Sequence, residues 1–431
     1  MLRSRDFRLL WLSQSISVIG DALVIVAIGL YVTRLTGNPS DVGIVLAAYS
    51  IPLVIFVLFG GVLADRLPRQ LVMMVSDLIR AVLHATLAIL IATGTVKIWH
   101  MAVIGVLFGS AEAFFRPAYS GLVPQTIDEA DIQSAQALNG VTRELASFAS
   151  PALATALVLG VGGASAFGLD AVTFLISAAL LARVRIWSRG EQPERASVLK
   201  ELQEGWRAVA ERAWVWATIA AFSIGLLTSL APFFVLGASV GREVYGTEAV
   251  YGLANAAWGI GTITGAVLGS RWKPRRPMLA GMLAAIPWPA VTAVYALGLS
   301  LALLYAFMVF AGLGIGLFAV WWETALAQRI PPHLLSRVSA WDWMGSLALL
   351  PAGYLLAGSI ARMIGDREVM VWGGLIGVLA AIMGLIPRST RTLTRLELDE
   401  LQSGQGGREI SDEILDVLNS HTQPNQVGGH L

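Results

Sequence analysis

The amino-acid sequence predicts an all-α integral membrane protein in which twelve transmembrane helices form two related groups of six. Three observations lead to this prediction: an excess of apolar residues, twelve separate apolar runs, and a second half that resembles the first. Of the 431 residues, 56% are hydrophobic and 14% are charged, whereas about 25% are charged in soluble domains. Such a chain needs lipid around it, because a soluble core cannot bury so much apolar surface.

Each of the twelve apolar runs is long enough to cross a bilayer as a helix, since a span needs about 20 mostly apolar residues. Gly and Pro occur inside many of the runs, which membrane helices tolerate where neighbours satisfy the freed backbone groups. The predicted spans lie near 8–33, 41–64, 71–93, 98–122, 143–162, 166–185, 213–237, 249–270, 277–297, 300–322, 338–361 and 369–387.

Positive charges are distributed unequally between alternate loops. If the N-terminus lies inside, the loops on the cytoplasmic side carry most of the arginines, as around 183–212 and 271–276. Because Lys and Arg accumulate in cytoplasmic loops, we predict a multi-pass protein of the cell membrane with both termini in the cytoplasm. The opposite loops hold only Arg34, Lys97, Arg242, Arg362 and Arg367.

A polar segment divides the spans into two groups of six that resemble each other. The stretch GGVLADRLPRQ from Gly60 matches GAVLGSRWKPRR from Gly265, and the offset between the copies stays at about 200 residues, which indicates a duplication. We therefore predict four regions: an N-terminal six-helix bundle at 1–185, a cytoplasmic linker with an amphipathic helix at 186–212, a C-terminal six-helix bundle at 213–388, and a disordered cytoplasmic tail at 389–431.

Composition and motifs exclude several classes of protein. Cysteine is absent and the five histidines are scattered, so we predict no metal site. The net charge of +1 gives no basis for nucleic-acid binding. Neither a G-x-x-x-x-G-K-[ST] loop nor a hydrolytic motif occurs, so we expect no nucleotide, no cofactor and no enzymatic activity. Any transport must draw on a gradient.

The loop between the second and third spans carries a recognisable motif. Its stretch GVLADRLPR at 61–69 follows the pattern G-x-x-x-D-R-x-x-R, and the stretches FRLLWLSQSISVIGD from Phe7 and FFRPAYSGLVP from Phe114 accompany it. On these residues the sequence resembles the major facilitator superfamily over about 5–387, and within it the twelve-helix drug-efflux branch that includes macrolide and enterobactin exporters. The resemblance implies two six-helix bundles around a central cavity that opens alternately to each side.

The resemblance also implies that this signature loop is a conformational latch. Gly61 permits close approach of helices, while Asp65, Arg66 and Arg69 form charge contacts that hold in only one conformation. The second copy has Gly269 where an Asp would stand, so we expect an asymmetric latch. An ordinary positively charged loop is the alternative.

Further residues are implied to support the latch and the direction of transport. The loop carboxylate is expected to face the start of the eleventh span, which makes Asp342 a candidate contact. Asp77 and Arg80 form a three-apart pair in the third span, and we expect them to support the loop. In the fifth span, Ser150 and Pro151 stand where an antiporter motif has Gly-Pro, with small residues on either side.

Ionisable residues inside the spans are functional hypotheses, because they are costly in lipid. Asp21 lies near the middle of the first span, with Gln14 on the same face. We predict that Asp21 binds and releases a coupled proton; the alternative is a permanent structural pair with an arginine. Glu112 and Arg116 lie four apart on one face of the fourth span, either as a second proton site with its modulator or as a packing pair.

Two further sets of residues carry predictions that depend on the position of the helices. Asp170 is predicted to cap the start of the sixth span, where a carboxylate accepts from free amides. Trp258, Trp321, Trp322 and Glu323 are predicted either to face the cavity and stack on an amphipathic, including a cationic, substrate or to anchor the helices at the membrane interface.

The leading hypothesis from the sequence is proton-coupled export of an amphipathic small molecule, such as a drug, a macrolide or a siderophore-like compound, across the lipid bilayer. The rivals are a solute importer or facilitator of the same fold and a non-transporting receptor or assembly factor. The identity of the substrate and the oligomeric state stay open at this stage.

Overall fold

The computed structural model describes residues 4–128, 132–185 and 198–395, without the side chains of 57–66 and of a few other helical residues. Within these ranges the regular elements are all helical, as the composition predicts. The α-helices are α1 (Arg5–Thr36), α2 (Pro39–Arg66), α3 (Arg69–Ala92), α4 (Ile98–Leu122), α5 (Ile132–Ala156), α6 (Gly163–Leu181), α7 (Val198–Ala210), α8 (Ala213–Gly225), α9 (Ala231–Tyr245), α10 (Ala249–Arg271), α11 (Pro277–Ala285), α12 (Pro287–Ala296), α13 (Leu301–Arg329), α14 (Pro332–Leu347), α15 (Leu350–Ile364), α16 (Asp366–Met383) and α17 (Arg388–Thr392).

Each predicted span coincides with one helix or with two consecutive helices. Among the described residues, nine helical segments are long and apolar enough to cross a membrane. The three other predicted spans correspond to α5, α10 and α16. Among the described residues, these helices are too short or not hydrophobic enough to meet the same criterion. We call α1–α6 the N-half and α8–α16 the C-half.

Small residues allow the helices of each half to pack closely. In the N-half α2 packs on α4, and α3 on α6; in the C-half α10 packs on α13, and α12 on α16. A Cβ on Gly265 of α10 would collide with the backbone of Leu313 in α13. Glycine therefore lets these two helices approach to backbone contact, as is typical of membrane bundles.

The C-half differs from the N-half in the continuity of its helices. Its seventh span is interrupted by a π-helical turn at 226–230, its ninth at Ile286 and its eleventh at 348–349. Proline follows each interruption closely, at Pro232, Pro287 and Pro351, and proline cannot donate to the preceding turn. The Ser229 hydroxyl donates to the carbonyl of Pro289 at 2.8 Å, so a side chain satisfies a backbone group freed near a break.

The two halves meet at the end of the bundle that carries the α1–α2 and α9–α10 loops. There α2 packs on α15 and α5 packs on α10, with Gly358 against the backbone of Ser40. Arg34 of α1 reaches Glu248 at the start of α10, 3.3 Å from Nε to Oε1. The central space between the halves is therefore closed at this end.

The predicted amphipathic linker helix is α7, which packs on α14 of the C-half. Glu204 of α7 pairs with Arg337, and the Trp206 and Trp341 rings lie 5.0 Å apart. Residues 389–395 were predicted to belong to a disordered tail; instead they include part of α17, and Arg395 donates to the carbonyl of Arg275 at 3.0 Å. The rest of the predicted tail, 396–431, lies outside the described residues.

Candidate functional site

The interior of the N-half holds a cluster of two carboxylates and one arginine. Arg80 on α3 contacts Asp77 on the same helix, 2.5 Å from Nη2 to Oδ1. Its Nη1 lies 3.6 Å from Oδ2 of Asp21 on α1. Ser177 on α6 donates to the second oxygen of Asp77 at 2.6 Å. A single guanidinium is thus shared by two carboxyl groups from different helices.

Three aromatic rings enclose the Arg80 guanidinium. Its Cζ lies 4.2 Å from the ring centre of Phe174, 4.6 Å from that of Phe115 and 5.7 Å from that of Phe108. A cation over aromatic faces is attracted by their negative π-surfaces, most strongly where water is excluded. The side chain of Arg80 is 1% exposed, so packing as well as charge fixes its position.

This cluster corrects the prediction for Asp77 and Arg80. Both residues were expected to support the signature loop, but the described contacts of Arg80 are with Asp21, Asp77 and aromatic rings in the interior of the half. The partner that the sequence could not identify for Asp21 is therefore Arg80. The three-apart pair itself is present as predicted.

Asp21 and Asp77 differ in their exposure. The Asp77 side chain is fully buried, whereas that of Asp21 is 30% exposed. Oδ1 of Asp21 is buried without a hydrogen-bond partner among the described residues, as is Oε1 of Gln14 two turns earlier. Asp21 is therefore the more accessible carboxyl group of the cluster, and Asp77 is the enclosed one.

Glu112 and Arg116 on α4 form the ion pair that their spacing predicts. Nη2 and Nε of Arg116 lie 2.7 and 3.0 Å from Oε1 of Glu112, and both charges act on Asp21. The Arg116 guanidinium also lies 5.9 Å from the ring centre of Trp343 in the C-half. The pair therefore stands between the carboxylate cluster and the opposite half.

A second buried polar group, which sequence reasoning missed, adjoins the cluster. Nδ1 of His84 lies 2.5 Å from Oδ2 of Asp170, and Nε2 lies 3.0 Å from the hydroxyl of Tyr49. The imidazole stacks on Phe108 with 4.2 Å between ring centres. The predicted N-cap role of Asp170 is wrong, because α6 begins at Gly163 and Asp170 lies fully buried inside it.

Helix spacing contained a signal for this group. Asp77, Arg80 and His84 follow one another at intervals of three and four residues, which places all three on one face of α3. That face packs on α6 and α4. Gly20 precedes Asp21 on α1, and a Cβ at this position would collide with the carboxylate of Asp170. Glycine therefore allows α1 to pack closely against the His84–Asp170 pair.

The signature loop is described only in part. Gly61, Asp65 and Arg66 lie at the end of α2, where side chains are outside the described set, so their contacts stay a prediction. Arg69 opens α3, and its guanidinium donates to the carbonyl of Gly121 at the end of α4. Gln70 donates to the carbonyl of Leu181 at 2.6 Å. These bonds tie the start of α3 to the ends of α4 and α6.

The helix-five motif lies where α5 contacts both α1 and the C-half. The Ser150 hydroxyl donates to the carbonyl of Ile19 at 2.9 Å. A Cβ on Gly252 of α10 would lie 3.2 Å from the carbonyl oxygen of Pro151. Gly252 therefore permits close contact between the halves at Pro151, and Ser150 ties α5 to α1 two residues before Asp21.

Two small cavities lie among the described residues of the C-half. Trp258 lines the first, together with Asn255, Trp288 and Met308; its Nε1 is buried with no partner in the described part of the chain. The second lies between α8, α13 and α14 and is lined by Trp322 and Asp342, among others.

The other tryptophans for which a role was predicted, on α13, lie in different environments. Trp321 is 2% exposed and donates to the carbonyl of Trp272 at 3.0 Å, so it is a structural residue and not a cavity wall. Trp322 lines the second cavity. Asp342 accepts from Trp322 within the C-half at 2.8 Å; a contact with Asp65 stays a prediction.

Comparison with known families decides the identity of this fold. The family model for the Major Facilitator Superfamily matches residues 10–346. The chain belongs to the major facilitator superfamily. It is accordingly a multi-pass membrane transporter of small molecules and not an enzyme, as the sequence predicted.

Members of the superfamily with curated names match most of the chain. It is 22% identical over 399 residues to macrolide efflux protein A of Streptococcus pyogenes, covering 91% of this chain and 97% of that protein. It is 27% identical over 366 residues to multidrug efflux pump Tap of Mycolicibacterium fortuitum, covering 80% and 87%. A crystal structure of a bacterial homologue of the human lysosomal transporter Spinster has a TM-score of 0.72 at 15% identity, covering 92% and 99%, which confirms the fold.

Proposed function

We propose that the chain is a proton-coupled exporter of an amphipathic small molecule, with Asp21 as the proton carrier. The names of two relatives, a macrolide efflux protein and a multidrug efflux pump, support export. The observation that carries the coupling role is the sharing of Arg80 between Asp21 and Asp77. One guanidinium balances one carboxylate, so the cluster is electrically neutral when the second carboxyl group holds a proton.

Access determines which carboxyl group exchanges that proton. Asp77 is fully buried and accepts from both Arg80 and Ser177, whereas Asp21 is partly exposed and lies farther from Arg80. Asp21 therefore exchanges its proton with the central space, and Arg80 stays with Asp77. When Asp21 loses the proton, its carboxylate also attracts Arg80. This attraction changes the contact that links α1 to α3.

Glu112 and Arg116 link the proton site to the occupant of the cavity in this proposal. Their charges act on Asp21, and Arg116 faces Trp343 across the halves. A bound substrate that displaces Arg116 changes the field at Asp21, because the charge of Arg116 acts on that carboxyl group. The pair is therefore the second candidate for coupling, after Asp21.

The closed end of the bundle defines the conformation in this proposal. With both termini in the cytoplasm, the end at which Arg34 meets Glu248 faces the outside, and the central space opens inward. This is the state that loads a cytoplasmic substrate before the halves rock about the cavity. Asp65, Arg66 and Arg69 act as the latch of the opposite state.

The test is flux in proteoliposomes with an imposed pH gradient. A panel of labelled amphipathic compounds is offered to the wild type, to Asp21→Asn, and to Asp41→Asn as a control at the outer end of α2. We expect gradient-driven flux in the wild type and in Asp41→Asn, and loss of its gradient dependence in Asp21→Asn. Flux that ignores the gradient in all three proteins would refute proton coupling and leave the fold untouched.

Direction separates the proposal from an importer or facilitator of the same fold. Cells that express the protein are loaded with a fluorescent amphipathic compound, and retention is followed after washing. An exporter lowers retention relative to cells expressing Asp21→Asn, whereas an importer does not. A receptor or assembly factor would instead keep its function in Asp21→Asn, Glu112→Gln and Asp65→Asn.

A further inference from the structure

The second C-half cavity combines one carboxylate with aromatic walls. It has a volume of about 140 Å³ and is lined by Thr218, Phe222, Phe318, Trp322, Asp342 and Ser346. Asp342 is the charged residue in this lining, and the remaining surface is aromatic or carries hydroxyl groups. The cavity lies between α8, α13 and α14, apart from the arginine cluster of the N-half.

Two donors hold the Asp342 carboxylate in place. Trp322 Nε1 donates to Oδ2 at 2.8 Å, and the Ser346 hydroxyl donates to Oδ1 at 3.4 Å. No arginine, lysine or histidine pairs with Asp342 in the part of the chain that the structure describes. Glu323 follows Trp322 on α13, and its carboxyl group is near enough to interact electrostatically with that of Asp342. Among the described residues, the charges at the cavity are therefore negative.

Aromatic rings extend this negative region along the wall. The rings of Phe222 and Phe318 stack with 4.4 Å between centres and 21° between planes. Phe318 and Trp322 continue the stack at 6.0 Å and 17°, and Trp288 lies beyond Phe222 at 5.2 Å and 18°. Three of these rings, Phe222, Phe318 and Trp322, line the cavity together with Asp342, and aromatic faces attract cations.

The interruption of the eleventh span adds to the same field. α14 ends at Leu347, within two turns of Asp342, and α15 starts again at Leu350. The C-terminal end of a helix carries a partial negative charge from its unpaired carbonyl groups. In transporters, such ends of interrupted helices favour bound cations. The break therefore reinforces the attraction of Asp342 for positive charge.

The chemistry of the walls selects the kind of cation. Ca²⁺ and Mg²⁺ require about six or more oxygen ligands, whereas one carboxylate and hydroxyl groups face this cavity. An ammonium or other organic cation needs one counter-charge and an apolar surface. We propose that the cavity is a subsite for the positively charged group of an organic cation, with Asp342 as counter-ion and the stacked rings as its wall.

This inference rests on the proposed function for its physiological meaning, because it names the substrate class of that exporter. The inference states that the cavity binds a cation, and binding can be measured without transport. In the N-half, Asp77 and Glu112 already have arginine partners. Asp342 lacks one among the described residues, so the substrate itself supplies the balancing charge.

The test is equilibrium binding to the purified full chain in detergent. The probes are tetraphenylphosphonium, a permanent organic cation, and triphenylphosphine oxide, a neutral compound with the same aryl groups. Tryptophan fluorescence quenching and calorimetry report binding to the wild type, to Asp342→Asn, to Asp342→Glu and to Asp366→Asn, an acidic control on α16. Thermal melting confirms that each variant is folded; the Asn side chain still accepts from Trp322.

We expect Asp342→Asn to weaken binding of the cation about tenfold or more, which is the effect of losing the attraction of one opposite charge. Binding of the neutral compound should change less than about twofold, and Asp342→Glu should recover part of the cation affinity. Phe318→Leu should weaken the cation about threefold to tenfold while retaining the carboxylate.

Two results would overturn the inference. Cation affinity within about twofold of wild type in Asp342→Asn would show that the carboxylate is not the counter-ion. An equal loss for both probes would show that the cavity shape and not its charge was altered. If gradient-driven flux is absent from every variant while cation binding depends on Asp342, the proposed export mechanism fails and the cation site stands.

Discussion

The two halves of the molecule, which the sequence predicts to be repeats, contain different interiors. In the N-half, α1, α3, α4 and α6 bring carboxylates together with arginine or histidine partners around Arg80 and His84. In the C-half, the ninth span corresponds to α3 and is formed by α11 and α12, which contain no charged residue. There, stacked aromatic rings face Asp342. The halves therefore differ in the chemistry of their interiors, with ion pairs in one and aromatic rings in the other.

This difference has a physical consequence for alternating access. A buried charge cluster needs fixed partners, since an unpaired charge in a low dielectric is costly, and the N-half helices that carry it are continuous. The C-half spans are interrupted at three points, and their interior offers apolar surface with few charges. We propose that the N-half holds the proton and the C-half recognises the organic substrate.

The largest expected effect comes from removing the centre of the N-half cluster. Arg80→Met leaves Asp77 and Asp21 without their guanidinium partner, and breaking a buried ion pair costs about 3–5 kcal/mol. Thermal and denaturant unfolding of the purified protein in detergent measures this loss. Combining Arg80→Met with Asp77→Asn should recover part of it, because one uncompensated charge is removed.

Arg116→Met is the matched control for Arg80→Met. Its guanidinium is 49% exposed, so solvent screens the ion pair with Glu112, and the expected loss is below about 1 kcal/mol. Equal losses in the two variants would show that the Arg80 cluster is no more than an ordinary solvated pair, and the contrast between the halves would fail.

A smaller effect is expected at the second polar group of the N-half. His84→Ala removes the partner of Asp170 and the stack on Phe108, which should cost about 2–4 kcal/mol. Tyr49→Phe removes one hydrogen bond from the same imidazole and should cost about 1 kcal/mol. Unfolding midpoints of the two variants provide the measurement. The reverse order of effects would mean that the imidazole is held by Tyr49 and not by Asp170.

The sequence predicted those features that depend on one helix and missed those that depend on how helices pack. Glu112–Arg116 and Asp77–Arg80 follow from spacings of four and three residues along a single helix. The Asp21–Arg80 contact requires α1 and α3 both to pack on α6, and the His84–Asp170 bond requires α3 to lie against α6. Hydropathy locates such helices, but it contains no information about which faces meet.

Asp342 shows the same limit in the C-half. Its family resemblance pointed to a contact with the signature loop, whereas its described partners, Trp322 and Ser346, belong to α13 and α14. The interruption at 348–349 was signalled in the sequence by Pro351 alone. A cavity between three spans is set by side-chain volumes on facing helices, and no periodicity in one chain segment specifies it.

The smallest expected effect concerns the contact that closes one end of both halves. Burial opposes the charge of Glu248, but hydrogen bonds from Arg242 and Arg34 outweigh it and hold the pKa of this carboxyl group below its ordinary value. Because the pKa of Glu248 is lowered in the closed state, the contact stabilises that state when the pH is above the ordinary glutamate pKa. That contribution is lost as the pH falls through the lowered pKa.

Because the chain contains no cysteine, spin labels on Thr36→Cys and Thr247→Cys can report the distance between the halves at this end. We expect a population of separated halves to appear as the pH falls below about 4, the range of an ordinary glutamate pKa. In Glu248→Gln this population should already be present at neutral pH and should not change with acidification. The arginines are about half exposed, so the shift corresponds to at most about 1 kcal/mol. A pH response that persists in Glu248→Gln would place the titrating group elsewhere, and the closed end would then depend on the helix packing of Gly358 against Ser40 instead of on charge.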